Sequence, residues 1–97
     1  MSYLLDTQVA IYAIAEEDKL SAYERAIIDD DTVRVFVSLV TIWEVAIKNS
    51  TRGRGRNPFP LLAEEAMRSF ESSRFEMLPI ASKHVCSVEN LSSIHRD

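Results

Sequence analysis

The 97 residues are 46% hydrophobic and 27% charged with only two Gly and three Pro, a composition that fits one globular domain and excludes a second domain, a disordered tail and a fibrous repeat. Eleven Lys and Arg against 15 Asp and Glu leave a net charge of −4, so no global basic field attracts nucleic acid and any such contact must be local. Cys86 is the single cysteine, which excludes an internal disulfide and a cysteine-rich zinc site; with no basic leader, and with Asp6 interrupting the first apolar residues, the chain reads as cytoplasmic, neither secreted nor embedded in a membrane.

Tyr3, Leu4 and Leu5 form a short apolar run that predicts a buried strand, ending at Asp6 and turning into a helix from Thr7 to Ala15. Glu16, Glu17 and Asp18 break that helix, and Ser21 with Glu24 spells a Ser-x-x-Glu capping box for a second helix ending near Asp29. Val33 to Ser38, rich in β-branched and aromatic residues, predicts a second, central strand. Thr41 to Asn49 follows as a helix whose Ile42, Trp43, Val45, Ala46 and Ile47 predict a broad buried face. Residues 50 to 60 hold both glycines and two of the three prolines and read as a loop. Leu61 to Ser72 is a further helix with Leu62, Ala66 and Phe70 at helical spacing, Phe75 to Ile80 a third strand, and Ser82 to Leu91 a last helix in which Cys86 packs into the core.

Strands alternating with helices predict an α/β fold in which a parallel sheet carries helices on both faces, because parallel neighbours need a long crossover. Such folds place function at the carboxyl ends of their strands. Asp6, Ser38 and, one helical turn past the second strand, Glu44 arrive there. Two carboxylates and a hydroxyl suit a hard cation such as Mg²⁺, which takes one or two protein carboxylates and keeps waters for a phosphate-bearing substrate. Each residue has a structural reading as well. Asp6 stands where a helix N-cap is wanted, Glu44 completes a capping box with Thr41 and lies four residues before Lys48, and Ser38 and Thr7 serve as caps or turn residues.

His84 and His95 have no ligand partners at metal spacing, and no Gly-rich phosphate loop or nucleophile elbow is present. The charge pattern is more telling. Lys48, Arg52, Arg54 and Arg56 place four cations in nine residues without an acid, whereas residues 16 to 31 hold seven acids. A basic loop beside the carboxyl edge suits a phosphate backbone, and equally suits a solvated surface.

Four segments in this order carry a family signature: Tyr-Leu-Leu-Asp-Thr at 3 to 7, Val-Ser-Leu-Val-Thr-Ile-Trp-Glu-Val-Ala-Ile-Lys at 37 to 48, Phe-Glu-Met-Leu-Pro-Ile at 75 to 80, and Ile-His-Arg-Asp at 94 to 97. They resemble the PIN domain and, within it, the VapC-like toxins of bacterial toxin–antitoxin pairs. The resemblance implies a three-layer α/β/α fold and an endoribonuclease that uses Mg²⁺ or Mn²⁺ and is held inactive by a cognate antitoxin. It makes Asp6 the first metal ligand and Glu44 the second, sets Thr7 and Ser38 beside the site, and brings Asp97 to the acidic cluster. Gln8 stands where similar proteins often have His. The family pattern continues past His-Arg-Asp into a further acid, a helix and a last strand, so these 97 residues are expected to lack that helix and strand. An open sheet side would then be covered by self-association or by an antitoxin peptide. The competing reading is a catalytically inactive PIN-like module that binds antitoxin or RNA without cleaving it.

Overall fold

The computed structural model describes residues 1–50, 60–82, 86, 89 and 91–94, with Ser92 and Ser93 described by backbone alone. The elements run β1 (Ser2–Leu5), α1 (Thr7–Ala15), a 3₁₀ turn (Glu17–Lys19), α2 (Ala22–Asp29), β2 (Arg34–Ser38), α3 (Leu39–Lys48), α4 (Ala63–Ser72), β3 (Glu76–Leu78) and β4 (Ser92–Ile94). The strands form one parallel sheet in the order β3-β2-β1-β4, with Leu5 opposite both Val37 and Ile94 and Val37 opposite Met77. This is the α/β architecture expected, with β2 central. The strand order reverses after β3; the connection from β3 to β4, from which the second helical layer is expected, falls mostly outside the described residues.

Alternation along each strand assigns the two faces. Tyr3, Leu5, Val35, Val37, Met77 and Ile94 lie on one face and join the core cluster with Val9, Ala10 and Ile11 of α1, Val45 of α3, and Ala66 and Phe70 of α4. Helix α1 is apolar nearly all round, and a helix of that kind is stable only when enclosed. The capping box opening α2 is present as the sequence predicts: Ser21 Oγ accepts from Glu24 N at 3.1 Å and Glu24 Oε1 accepts from Ser21 N at 2.8 Å. Arg74, just before β3, locks the turn out of α2 by donating to the carbonyls of Ile28, Asp30 and Val33. A fork of fixed donors suits several carbonyls at once, and its charge complements the negative end of α2.

Several expectations are corrected. The fourth strand, Ser92–Ile94, has no counterpart in the sequence reading, since two serines give it little β-propensity; it exists because Ile94, 5% exposed, fills the core row beside Leu5. Helix α3 begins at Leu39, not Thr41, because Ser38 Oγ accepts from Val40 N at 3.0 Å and starts the helix directly off β2. Its buried face is also narrower: Thr41 and Val45 are buried, whereas Trp43 is 62% and Ile47 54% exposed. Leu62 and Ile80 are exposed, leaving Ala66 and Phe70 as the buried residues of α4. Cys86 is exposed and not part of the core. Most of the helix expected over residues 82–91 lies outside the described residues. No helix among the described residues is long and apolar enough to cross a membrane.

The sheet's other face carries Leu4 and Phe36 and, at its β2–β3 edge, a bidentate ion pair. Arg34 Nε and Nη2 donate to Glu76 Oε2 and Oε1 at 2.9 and 2.7 Å, and the guanidinium lies 5.0 Å from the Phe36 ring centroid. These hydrogen bonds, more than the charge itself, hold the Glu76 carboxyl below its ordinary value. A carboxyl depressed in the folded state stabilises the fold above its unfolded value and loses that contribution as pH falls through its folded one. Glu76→Gln should therefore lower the melting temperature near neutral pH and flatten its decline between about pH 5 and pH 3. Calorimetry across that range tests this, and parallel curves for the two proteins would refute it.

Candidate functional site

Asp6 is the first residue past β1. Its backbone N–H donates to Ile94 O at 2.9 Å, extending the β1–β4 ladder, while its own carbonyl accepts from Ala10 N at 2.9 Å and its Oδ1 accepts from Val9 N at 2.9 Å. The N-cap reading of Asp6 is thus correct, and it fixes one carboxylate oxygen at the carboxyl edge of the sheet, against the positive end of α1. Helix α3 leaves the neighbouring strand at the same edge and brings Glu44 alongside. Thr7 Oγ1 donates to Glu44 Oε1 at 3.0 Å and lies 3.2 Å from Thr41 Oγ1. Residues 37 positions apart are joined by these side chains.

Asp6, Thr7, Gln8, Glu44 and Lys48 line an open cleft of about 310 Å³. Lys48, the last residue of α3, brings a cation to a rim that carries two acids. Larger hollows, of about 650 Å³ along α4 and about 380 Å³ where α1, α2 and α4 meet, lie away from this edge. Volume therefore does not single out the site; convergence of polar groups at the strand ends does.

The structure brings together Asp6, Thr7, Glu44 and Lys48 of the residues expected from the sequence. Gln8, given no role, also faces the cleft. Ser38 lies apart from the cleft lining, its hydroxyl engaged as the N-cap of α3. Glu44 does not form a capping box with Thr41, because Thr41 sits inside α3 and the helix start is already satisfied by Ser38. Arg52, Arg54, Arg56 and Asp97 fall outside the described residues, as do His84 and His95. Strand β4 ends at Ile94, opposite Leu5 in a parallel ladder, at the edge where Asp6 lies. The sequence reading missed the contact of Thr41 with Thr7. Its signal was available: a hydroxyl one turn before Glu44, on the side of α3 that carries Val45.

The donor atoms are all oxygens, two carboxylates and a hydroxyl, a set that suits a hard divalent cation. Among the described residues no third His, Cys, Asp or Glu joins Asp6 and Glu44. Two carboxylates suffice for Mg²⁺, which ordinarily completes its shell with water and substrate oxygens.

No curated protein and no solved structure gives a significant match to the chain. The family model described as PIN domain matches residues 3–96, nearly the whole chain, and spans β1 with Asp6, α3 with Glu44 and β4. PIN domains form a nuclease superfamily whose members generally depend on divalent metal ions and act on nucleic acid. With that match and with acids gathered at the carboxyl edge of a parallel sheet, this chain belongs to the PIN domain family.

Proposed function

We propose that the protein is a metal-dependent endoribonuclease of the VapC-like toxin kind, cytoplasmic, using Mg²⁺ or Mn²⁺ and restrained by a cognate antitoxin. The observation that carries this reading is the bond from Thr7 to Glu44, which ties the second acid to the residue adjoining the first. Asp6 and Glu44 would hold the ion, with Asp97 joining them from the chain beyond β4 and Ser38 steadying the start of α3. When bound, the ion would supply an activated water and neutralise charge on the scissile phosphodiester. The chain's own residues prepare that chemistry. Val9 N–H and the Thr7 hydroxyl each hold one oxygen of an acid, and Lys48 offers a positive charge to a phosphate entering the cleft. Arg52, Arg54 and Arg56 would extend this charge along the RNA backbone.

An exposed apolar stripe supports the partner in this reading. Val40, Trp43 and Ile47 recur on one face of α3, and Glu44 lies on the flank of that face. A segment covering the stripe would lie over the rim of the acidic cleft. That position suits an inhibitory antitoxin peptide. Self-association belongs to the same reading, as a second way of covering the stripe.

Asp6→Asn and Glu44→Gln should each abolish saturable Mn²⁺ binding by titration calorimetry and lower RNA cleavage on the order of 10²-fold or more. A folded wild type that cleaves RNA undiminished by either change would sink the nuclease assignment; one that binds RNA without cleaving it would establish the inactive module. Exchanging Lys48, Arg52, Arg54 and Arg56 for Gln should reduce the slope of log affinity against log salt for single-stranded RNA by up to about 3, given about 0.7 per neutralised phosphate. An unchanged slope would remove the basic stretch from the interface. Trp43→Glu should abolish co-purification of the co-expressed antitoxin. Sedimentation of the chain alone, with and without this change, reads whether a second copy uses the stripe.

A further inference from the structure

We infer that Thr41 is a positioning residue of the nuclease site, its buried hydroxyl setting the direction of the Thr7 hydroxyl and, through it, the place of the Glu44 carboxylate. The inference rests on reading Asp6 and Glu44 as the acids that hold the ion.

The argument begins with proton count. A threonine hydroxyl has one proton to donate and lone pairs to accept with, whereas an ionised carboxylate only accepts. The 3.0 Å bond from Thr7 Oγ1 to Glu44 Oε1 therefore uses the proton of Thr7. In the 3.2 Å contact between Thr7 and Thr41, Thr41 must then be the donor and Thr7 the acceptor. The result is a one-way relay from Thr41 to Thr7 to Glu44, in which each bond polarises the next.

The placement of Thr41 is unusual for a threonine within a helix. Such a hydroxyl commonly turns back onto a carbonyl three or four residues earlier in its own helix. Thr41 instead reaches across to α1. It is 2% exposed and lies in α3 beside the buried Val45, where a Val of nearly the same shape would fill the space without a polar group to satisfy. The hydroxyl is accounted for by what it holds. Glu44 is an exposed, many-rotamer side chain on the same helix, one turn on, and the relay closes on it through Thr7. Holding one oxygen in advance spares part of the rotamer entropy that ion binding would otherwise cost. Because Thr7 follows Asp6 directly in the chain, the relay also sets the spacing of the two acids.

The test is Mn²⁺ titration calorimetry on the whole chain after chelator treatment, with melting temperatures measured on the same samples. Thr41→Val should weaken Mn²⁺ binding about tenfold, a typical cost of losing a group that orients a ligand, while Thr41→Ser should stay within about threefold of wild type. Thr7→Val should show a similar loss, and adding Thr41→Val to it should change affinity no further, as a shared relay requires. A folded Thr41→Val protein with wild-type affinity, or an equal further loss in the Thr7→Val background, would overturn the inference. If Thr41→Val does not fold, wild-type affinity in Thr7→Val overturns it, since the relay passes through Thr7. A wild type that binds no Mn²⁺, or an Asp6→Asn protein that binds it undiminished, overturns the nuclease reading and this inference together. Binding that is lost in Asp6→Asn but untouched in Thr41→Val overturns this inference alone.

Discussion

The rest of the molecule is organised around the hydrogen bonding of Asp6. Its N–H extends the parallel ladder to Ile94, its carbonyl opens the helical bonding of α1, and its side chain closes the first turn on Val9. These three bonds end the strand, begin the helix and hold a carboxylate oxygen at the sheet edge. None of them asks for a residue dedicated to function, because an N-cap aspartate already satisfies the backbone donors of a helix start. A site built there costs the fold little, and its first acid is as rigid as the sheet.

Glu44 reaches the same place by a different constraint. Helix α3 starts immediately after β2, with Ser38 serving both as the last strand residue and as the cap. With no loop between strand and helix, the rotation of α3 is set by the strand that feeds it. Thr41 and Val45 then turn inward, Val40, Trp43 and Ile47 turn outward, and Glu44 falls on the boundary between them. The boundary position lets Glu44 meet Thr7 on one side while staying exposed to the cleft. It also leaves the exposed apolar stripe of Val40, Trp43 and Ile47 beside the acid.

What the sequence made legible follows from how local each signal is. The span of α1 and the Ser21–Glu24 box depend on residues within a turn of one another and were readable as they stand. The start of α3 was not, because Ser38 and Thr41 both suit a cap, and only pairing of β2 as far as Ser38 decides between them. Nor could periodicity say which side of α3 is buried, since apolar residues lie nearly all around it; the answer depends on what α1 and α4 offer it. Strand β4 was hidden for a related reason. Three residues, two of them Ser, become a strand by pairing with β1, a partner about 90 residues away in sequence. The carboxylate pair was legible as residue types at strand ends; spacing alone gave Glu44 a capping role and the family resemblance made it a ligand, while its bond to Thr7, 37 positions away, was beyond any local signal.

Charge and architecture also separate in a useful way. The acids Asp29, Asp30 and Asp31 precede β2, at the amino edge where Arg34 N bonds to Met1 O, whereas Lys48 stands at the cleft on the opposite edge. An anionic ligand approaching the carboxyl edge thus meets the cation with the acidic turn behind the sheet, although the net charge of −4 opposes its approach at long range. At the cleft itself the two carboxylates belong to one lining. The amides are informative here because Asn remains a good N-cap at position 6 and Gln at position 44 still accepts from Thr7. They remove charge while leaving both structural tasks in place, so a loss of function in these variants would belong to the charge and not to the fold.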